Sequence, residues 1–121
     1  MTDKQVYKKL QKMAKDYNRS ELELAVIDDL LDNDQEYIIG RMKDVLNHGC
    51  ISGCVGSLIY YKDTYKFFDD YYEDIMELIN NIKKETGEDF NNWNGDIKNT
   101  GAWLAYEETV RKLMNELQIE Y

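Results

Sequence analysis

The chain has no proline, one histidine and two cysteines among its 121 residues. Each shortage closes off a class of structure or chemistry. Without proline, breaks between helices have to come from glycine, asparagine and aspartate. With His48 as the only histidine, the chain cannot supply the paired Glu-x-x-His units of a di-iron bundle or the histidines of a metallophosphatase. Cys50 and Cys54 lie four apart, a spacing that helical backbone rarely brings to disulfide geometry, and two thiols make no disulfide framework. A reducing compartment is expected. His48, Cys50 and Cys54 also lack the paired spacings usual for zinc. No apolar run approaches the ~20 residues of a membrane span, and Met1-Thr2-Asp3-Lys4 opens no signal-peptide stretch. The expectation is a cytoplasmic protein with no membrane partner.

Acidic side chains, in contrast, are plentiful: 24 Asp and Glu stand against 15 Lys and Arg, a formal net charge of −9. The charge is segregated. Residues 1–19 carry six basic and two acidic side chains, a net of +4, whereas residues 20–121 carry nine basic and 22 acidic, a net of −13. A body of that sign repels nucleic-acid phosphates and favours partners with basic surfaces. The hydrophobic share of 43% and aromatic share of 12% exclude a disordered acidic tail. The length suits one domain that buries a core without metal or disulfide staples.

The apolar spacing is helical throughout. Thr2 and Gln5 fit a capping box, and Val6, Leu10, Met13 and Tyr17 follow at helical intervals, predicting a basic helix from Asp3 to Tyr17 with Lys4, Lys8, Lys12 and Lys15 on a solvated stripe. Ser20 and Glu23 repeat the box and open a helix through Leu31, with Leu24, Ile27, Leu30 and Leu31 inward. A third helix carries Tyr37, Ile38, Met42, Val45 and Leu46 and stops at Asn47-His48-Gly49. A short buried helix is expected at Leu58-Ile59-Tyr60-Tyr61. Asp63 and Thr64 then start the longest element, with one unbroken stripe of Phe68, Tyr71, Tyr72, Ile75, Leu78, Ile79 and Ile82 ending at Gly87. Glu88 to Asn99 is a polar linker pinned by Phe90, Trp93 and Ile97. The last helix runs from about Thr100 to Leu117, with Trp103, Tyr106, Val110, Leu113, Met114 and Leu117 inward. The fold class is all-α: five to six helices in a single compact orthogonal or bundle-like domain over residues 1–121.

Two constellations could carry chemistry. The stretch from Asn47 to Ser57 has glycines at positions 49, 53 and 56. It reads either as close helix packing or as amides and Ser52 open to an anion, without the Gly-Lys-Ser/Thr ending of a P-loop. His48, Cys50, Ser52, Gly53 and Glu107 make up a candidate ligand pocket, in which a buried Glu107 would need a partner such as Tyr60, Tyr61 or Arg111. The second constellation is Asp69, Asp70, Glu73, Asp74 and Glu77, whose spacing puts five carboxylates on one helical face. They repel one another, so they must be solvated, paired or used. They could imitate a row of phosphates before a basic groove of another protein. Asp70, Glu73, Asp74 and Glu77 could instead hold Mg²⁺, although the clustered acids of all-α nucleotide pyrophosphohydrolases are only loosely echoed. Tyr65 and Tyr72, if exposed beside these acids, would add to a protein-binding surface.

Three segments, Asn47-His48-Gly49-Cys50-Ile51-Ser52-Gly53, Ser57-Leu58-Ile59-Tyr60-Tyr61-Lys62-Asp63-Thr64 and Trp103-Leu104-Ala105-Tyr106-Glu107-Glu108-Thr109, together resemble a family of short uncharacterised proteins encoded by tailed bacteriophages and prophages. The resemblance covers residues 34–118 and leaves out the basic segment 1–19. It implies a mobile-element protein acting inside a bacterial cell, with no catalytic roles to carry over. Small acidic phage proteins often inhibit host nucleic-acid enzymes, so the resemblance implies an anti-CRISPR or other anti-defence role by analogy. The leading expectation is therefore a non-enzymatic binding protein without cofactor or metal, docking Asp69, Asp70, Glu73, Asp74 and Glu77 on a basic surface of a host nucleic-acid-binding enzyme. The alternative is a ligand- or nucleotide-binding protein or hydrolase built on the glycine-rich turn or on carboxylate-bound Mg²⁺. A homodimer, with the first helix of one copy against the acidic body of another, is a third arrangement.

Overall fold

A computed structural model describes residues 2–32, 35–47, 64–87 and 97–120. Among these the chain forms six α-helices: α1 (Asp3–Met13), α2 (Glu21–Leu31), α3 (Ile38–Asn47), α4 (Thr64–Asp70), α5 (Tyr72–Thr86) and α6 (Ile97–Glu116). A 3-10 turn at Gln35–Tyr37 leads into α3. The all-α expectation holds, and the described residues contain no strand.

The helix ends follow local chemistry. Thr2 Oγ1 accepts from the Gln5 amide at 3.3 Å and the Gln5 side chain accepts from the Thr2 amide at 3.0 Å, the reciprocal capping box of α1. Ser20 Oγ accepts from the Glu23 amide at 3.1 Å, but the Glu23 carboxylate turns away to Arg19 and Lys112. The second box is therefore only half made. Gly87 closes α5 at φ 73°, a left-handed position that glycine takes without Cβ strain. Gln118 does the same after α6 at φ 59°, and there the Ile119 amide reaches back to the Met114 carbonyl at 2.9 Å. That is a Schellman closure with a non-glycine residue, supported by Ile119 packing on the core.

Helix α6 is the axis of the domain and packs against α2, α3, α4 and α5. It buries Ala102, Trp103, Ala105, Tyr106, Val110, Leu113 and Met114. Gly101 has a steric reason: a Cβ there would stand 2.8 Å from the Phe68 ring and 3.0 Å from Ile79 Cδ1, so the missing side chain lets α4 and α5 close on α6. Helix α1 rides on α2 and α3, burying Val6 and Leu10. The Tyr7 hydroxyl donates to the Leu31 carbonyl at 3.0 Å, and Asp3 accepts the Ile39 amide at 3.0 Å, tying α1 to both neighbours.

Four sequence expectations are corrected. The first helix stops at Met13, and Tyr17 is 83% exposed rather than inward. Tyr37 also faces out. The inward face of α2 is centred on Leu22, Val26, Ile27 and Leu30, with Leu24 and Leu31 only half-buried. The long element between Thr64 and Gly87 is two helices, broken at Tyr71, whose φ −119° and ψ 31° are not helical. Phe67 and Phe68 are both buried on α4 before the break, and Tyr72 just beyond it is exposed. Gly49, the expected helix at Leu58–Tyr61 and the expected linker anchors Phe90 and Trp93 lie outside the described residues.

Candidate functional site

The bend at Tyr71 reshapes the acid stripe. Asp69 and Asp70 end α4, while Glu73 and Asp74 occupy the first turn of α5. These positions have opposite electrostatics. Carboxylates suit the positive end of α5 and oppose the negative end of α4. The unfavourable pair is the one that draws cations: Lys66 donates to Asp70 at 2.7 Å and Lys98 to Asp69 at 3.1 Å. All four of these side chains are more than a third exposed, so each pair contributes at most about 1 kcal/mol and exchanges readily for other cations.

Asp74 is half-buried, and its Oδ2 accepts the Leu22 amide at 3.4 Å. Together with Ser20 it caps α2, joining the elbow to the start of that helix. Between them lies a concavity of about 680 Å³ lined by Arg19, Ser20, Glu21, Asp69, Asp70, Tyr71, Tyr72, Glu73 and Asp74. Asp69, Asp70, Glu73 and Asp74 are thus brought together, but around a bend rather than along one straight helix. Glu77 opens with Asp74 onto a neighbouring hollow of about 400 Å³ shared with Glu23, Glu85, Glu108 and Lys112. Glu73 and Glu77 are exposed and pair with no cation among the described residues. Tyr65 and Tyr72 stand exposed along the same two helices.

Arg19 borders the concavity but is already engaged. Its guanidinium donates to Glu116 at 2.8 Å and to Glu23 at 3.1 Å, and Nε lies 3.6 Å from Asp16. The Glu116 hydrogen bond, against the opposing effect of burial, holds the guanidinium pKa above its ordinary value. Burial pushes the Glu23 carboxyl upward, but Lys112 at 2.5 Å and Arg19 outweigh it, and the group sits below the ordinary range.

Of the candidate ligand pocket, His48, Cys50, Ser52 and Gly53 lie outside the described residues. Glu107 is largely buried and held by Arg111 at 3.2 Å, with Glu108 on the same guanidinium, so the partner anticipated for it is present. Among the described residues no group of three or more His, Cys, Asp and Glu side chains is arranged to hold a metal ion. No described helix is long and apolar enough to cross a membrane.

Sequence reasoning missed Glu21 and Arg19 as walls of the concavity. The capping pattern at Ser20 placed a helix start there, but nothing local says which helix meets it. It also missed Asp29, which is 8% exposed in α2 and accepts the Tyr106 hydroxyl at 2.5 Å.

A family model described as a domain of unknown function, DUF7222, matches residues 5–119. No curated protein and no solved structure matches the chain.

Proposed function

The chain belongs to the DUF7222 family, and we propose that it works by binding another protein: the acidic elbow docks on a basic, nucleic-acid-binding surface of a host enzyme and competes with the nucleic acid. The most concrete version is a phage-encoded inhibitor of a CRISPR effector or similar defence protein. One observation carries the reading. Glu21, Asp69, Asp70, Glu73 and Asp74 converge on a single concavity beside exposed Tyr72, on a body whose charges are mostly of that sign. Carboxylates grouped in this way attract a cationic surface at long range, and the tyrosine supplies apolar contact area once docked. The two internal lysine pairs are exposed and exchangeable, so they do not close the surface.

The test has two stages. The protein is used as bait in a bacterial host lysate, and a captured nucleic-acid-binding enzyme is purified and titrated against it. Binding is expected to displace the enzyme's nucleic acid, to weaken steeply with salt, and to lose association rate on Glu73→Lys with Asp69→Lys. Nucleic acid retained in the complex, or salt-independent affinity, overturns the proposal.

A further inference from the structure

Helix α1 presents a surface of opposite character. Lys4, Lys8, Lys9, Lys12 and Lys15 are all exposed, and none pairs with a carboxylate among the described residues. Elsewhere Lys66, Lys98 and Lys112 each hold a carboxylate at 3.1 Å or less, while Lys43, Lys83 and Lys84 pair with none among the described residues. What sets α1 apart is that five such lysines stand along one helix and the turn after it. The α1 lysines do not simply float above a polar surface. Lys8, Gln11, Lys12 and Lys15 rim a groove of about 500 Å³ with Ala14 and Leu31. Lys8, Lys12 and Lys15 fall three and four apart, on one side of the helix.

The groove and the elbow share no lining residue, and their chemistries are reciprocal. One is a cationic rim around an apolar cleft. The other is a set of carboxylates beside two exposed tyrosine rings, Tyr65 at 48% and Tyr72 at 52% exposure. We propose that the lysine-rimmed groove of α1 docks on the acidic elbow of a second copy of the chain, with a tyrosine ring in the groove and Lys8, Lys12 and Lys15 on the elbow carboxylates. Two whole molecules of charge −9 repel each other. The attraction is therefore local and felt within a Debye length, about 10 Å at 0.1 M salt. It joins unlike faces, so a two-fold axis that engages both at once closes a dimer, and any other arrangement adds copies head to tail. The contact needs no foreign partner and stands whether or not the elbow also meets one. If it does meet one, self-association and that partner compete for the same carboxylates.

The full chain is examined by sedimentation velocity over a concentration series at low and at near-molar salt. The expected result is a mass that rises with concentration at low salt and returns to the monomer as the screening length shrinks to about 3 Å at 1 M. Two charge-reversed chains sharpen the test: Lys8→Glu, Lys12→Glu, Lys15→Glu on α1, and Asp69→Lys, Glu73→Lys on the elbow. Each alone should be monomeric, because the α1-reversed chain presents two anionic faces and the elbow variant keeps only three of its five carboxylates, Glu21, Asp70 and Asp74, beside two new lysines. An equimolar mixture should associate at least roughly tenfold more tightly than either alone, since unlike faces are again available. Circular dichroism checks both folds, and Lys8→Gln, Lys12→Gln, Lys15→Gln replaces the α1 chain if the reversed one does not fold. A wild-type chain that stays monomeric at low salt overturns the proposal. So does an α1-reversed chain that associates like wild type, a mixture that does not associate, or a single-stranded oligonucleotide that occupies the lysine face while the chain remains monomeric.

Discussion

At the corner between α1 and α2, Glu23 is held by Lys112 at 2.5 Å and Arg19 at 3.1 Å, while Arg19 also grips Glu116 at 2.8 Å. At the elbow between α4 and α5, Glu73 and Glu77 meet no cation among the described residues, and the lysines that Asp69 and Asp70 hold are exposed. Both places join two helices and both are rich in carboxylates. The difference lies in burial. The Glu23 side chain is 14% exposed and that of Arg19 17%, so the corner has removed its charges from much of the solvent and must compensate them with close partners. The elbow leaves its charges in water, where solvation makes partners unnecessary and pairing weak. Carboxylate density alone therefore does not mark an interaction surface. Carboxylates that are unpaired or held only in exposed ion pairs, as at the elbow, are the ones the proposed docking would use.

The largest effect expected from breaking this contrast is at Arg19. Arg19→Ala removes three ionic contacts, strands Glu116 and leaves Glu23 to Lys112 alone, besides losing the packing of the side-chain stem. A loss of about 2 kcal/mol is expected, below that for a fully buried pair because Glu116 stays partly in water. Urea denaturation should show a lower midpoint at unchanged slope. Arg19→Lys should recover only part of it, since an ammonium cannot reach Glu23 and Glu116 with a planar fork. A loss below about 0.5 kcal/mol would place the corner in the same class as an ordinary surface.

Acid titration sharpens the contrast with smaller effects of opposite sign. Burial pushes the Asp29 carboxyl above its ordinary value, and the Tyr106 hydrogen bond only partly offsets this. Between the ordinary aspartate value, about 3.9, and the raised folded value, the native state keeps a proton that the unfolded chain has lost. Stability contributed by Asp29 therefore falls as pH rises through that window. Asp29→Asn, which keeps an acceptor for Tyr106, should remove this slope. Glu23 is depressed, so its contribution is complete above the ordinary glutamate value, about 4.3, and is lost as pH falls through the folded value. Glu23→Gln should flatten that decline. Denaturation midpoints of the two variants against wild type from acid to neutral pH check both signs.

Most of the helices were legible because their inward residues recur at helical spacing. Val6 and Leu10, Ile38, Met42 and Val45, and the whole inward set from Trp103 to Leu117 are buried as the pattern predicts. The errors cluster on tyrosine. Tyr17, Tyr37 and Tyr72 extend apolar stripes in the sequence but keep their rings at the surface, since a phenol serves an exposed rim as well as a core. The bend at Tyr71 was illegible for the same reason: Phe68, Tyr71, Tyr72 and Ile75 keep the helical period straight across it, without proline or glycine to announce a break. The acid cluster was legible as composition, but its concave shape depends on that bend and on α2, and only the tertiary contact shows it. Asp29 was hidden because a carboxylate within Val26-Ile27-Asp28-Asp29-Leu30 acquires its meaning from Tyr106, which is 77 positions away.

The smallest expected change in stability is at the elbow, and its sign is the informative part. Glu73 and Glu77 stand four apart on α5, a like-charge pair that costs an isolated helix about 0.2–0.5 kcal/mol. Glu77→Lys replaces that repulsion with a favourable Glu73–Lys pair and touches no hydrogen bond among the described residues. A gain of a few tenths of a kcal/mol is expected, read as a higher denaturation midpoint, together with slower association with any basic partner. A fold that becomes more stable when an exposed acid is reversed is not using that acid to fold. If Glu77→Lys instead destabilises the chain by more than about 1 kcal/mol, the elbow carboxylates belong to the architecture as those of the corner do, and the distinction between the two regions fails.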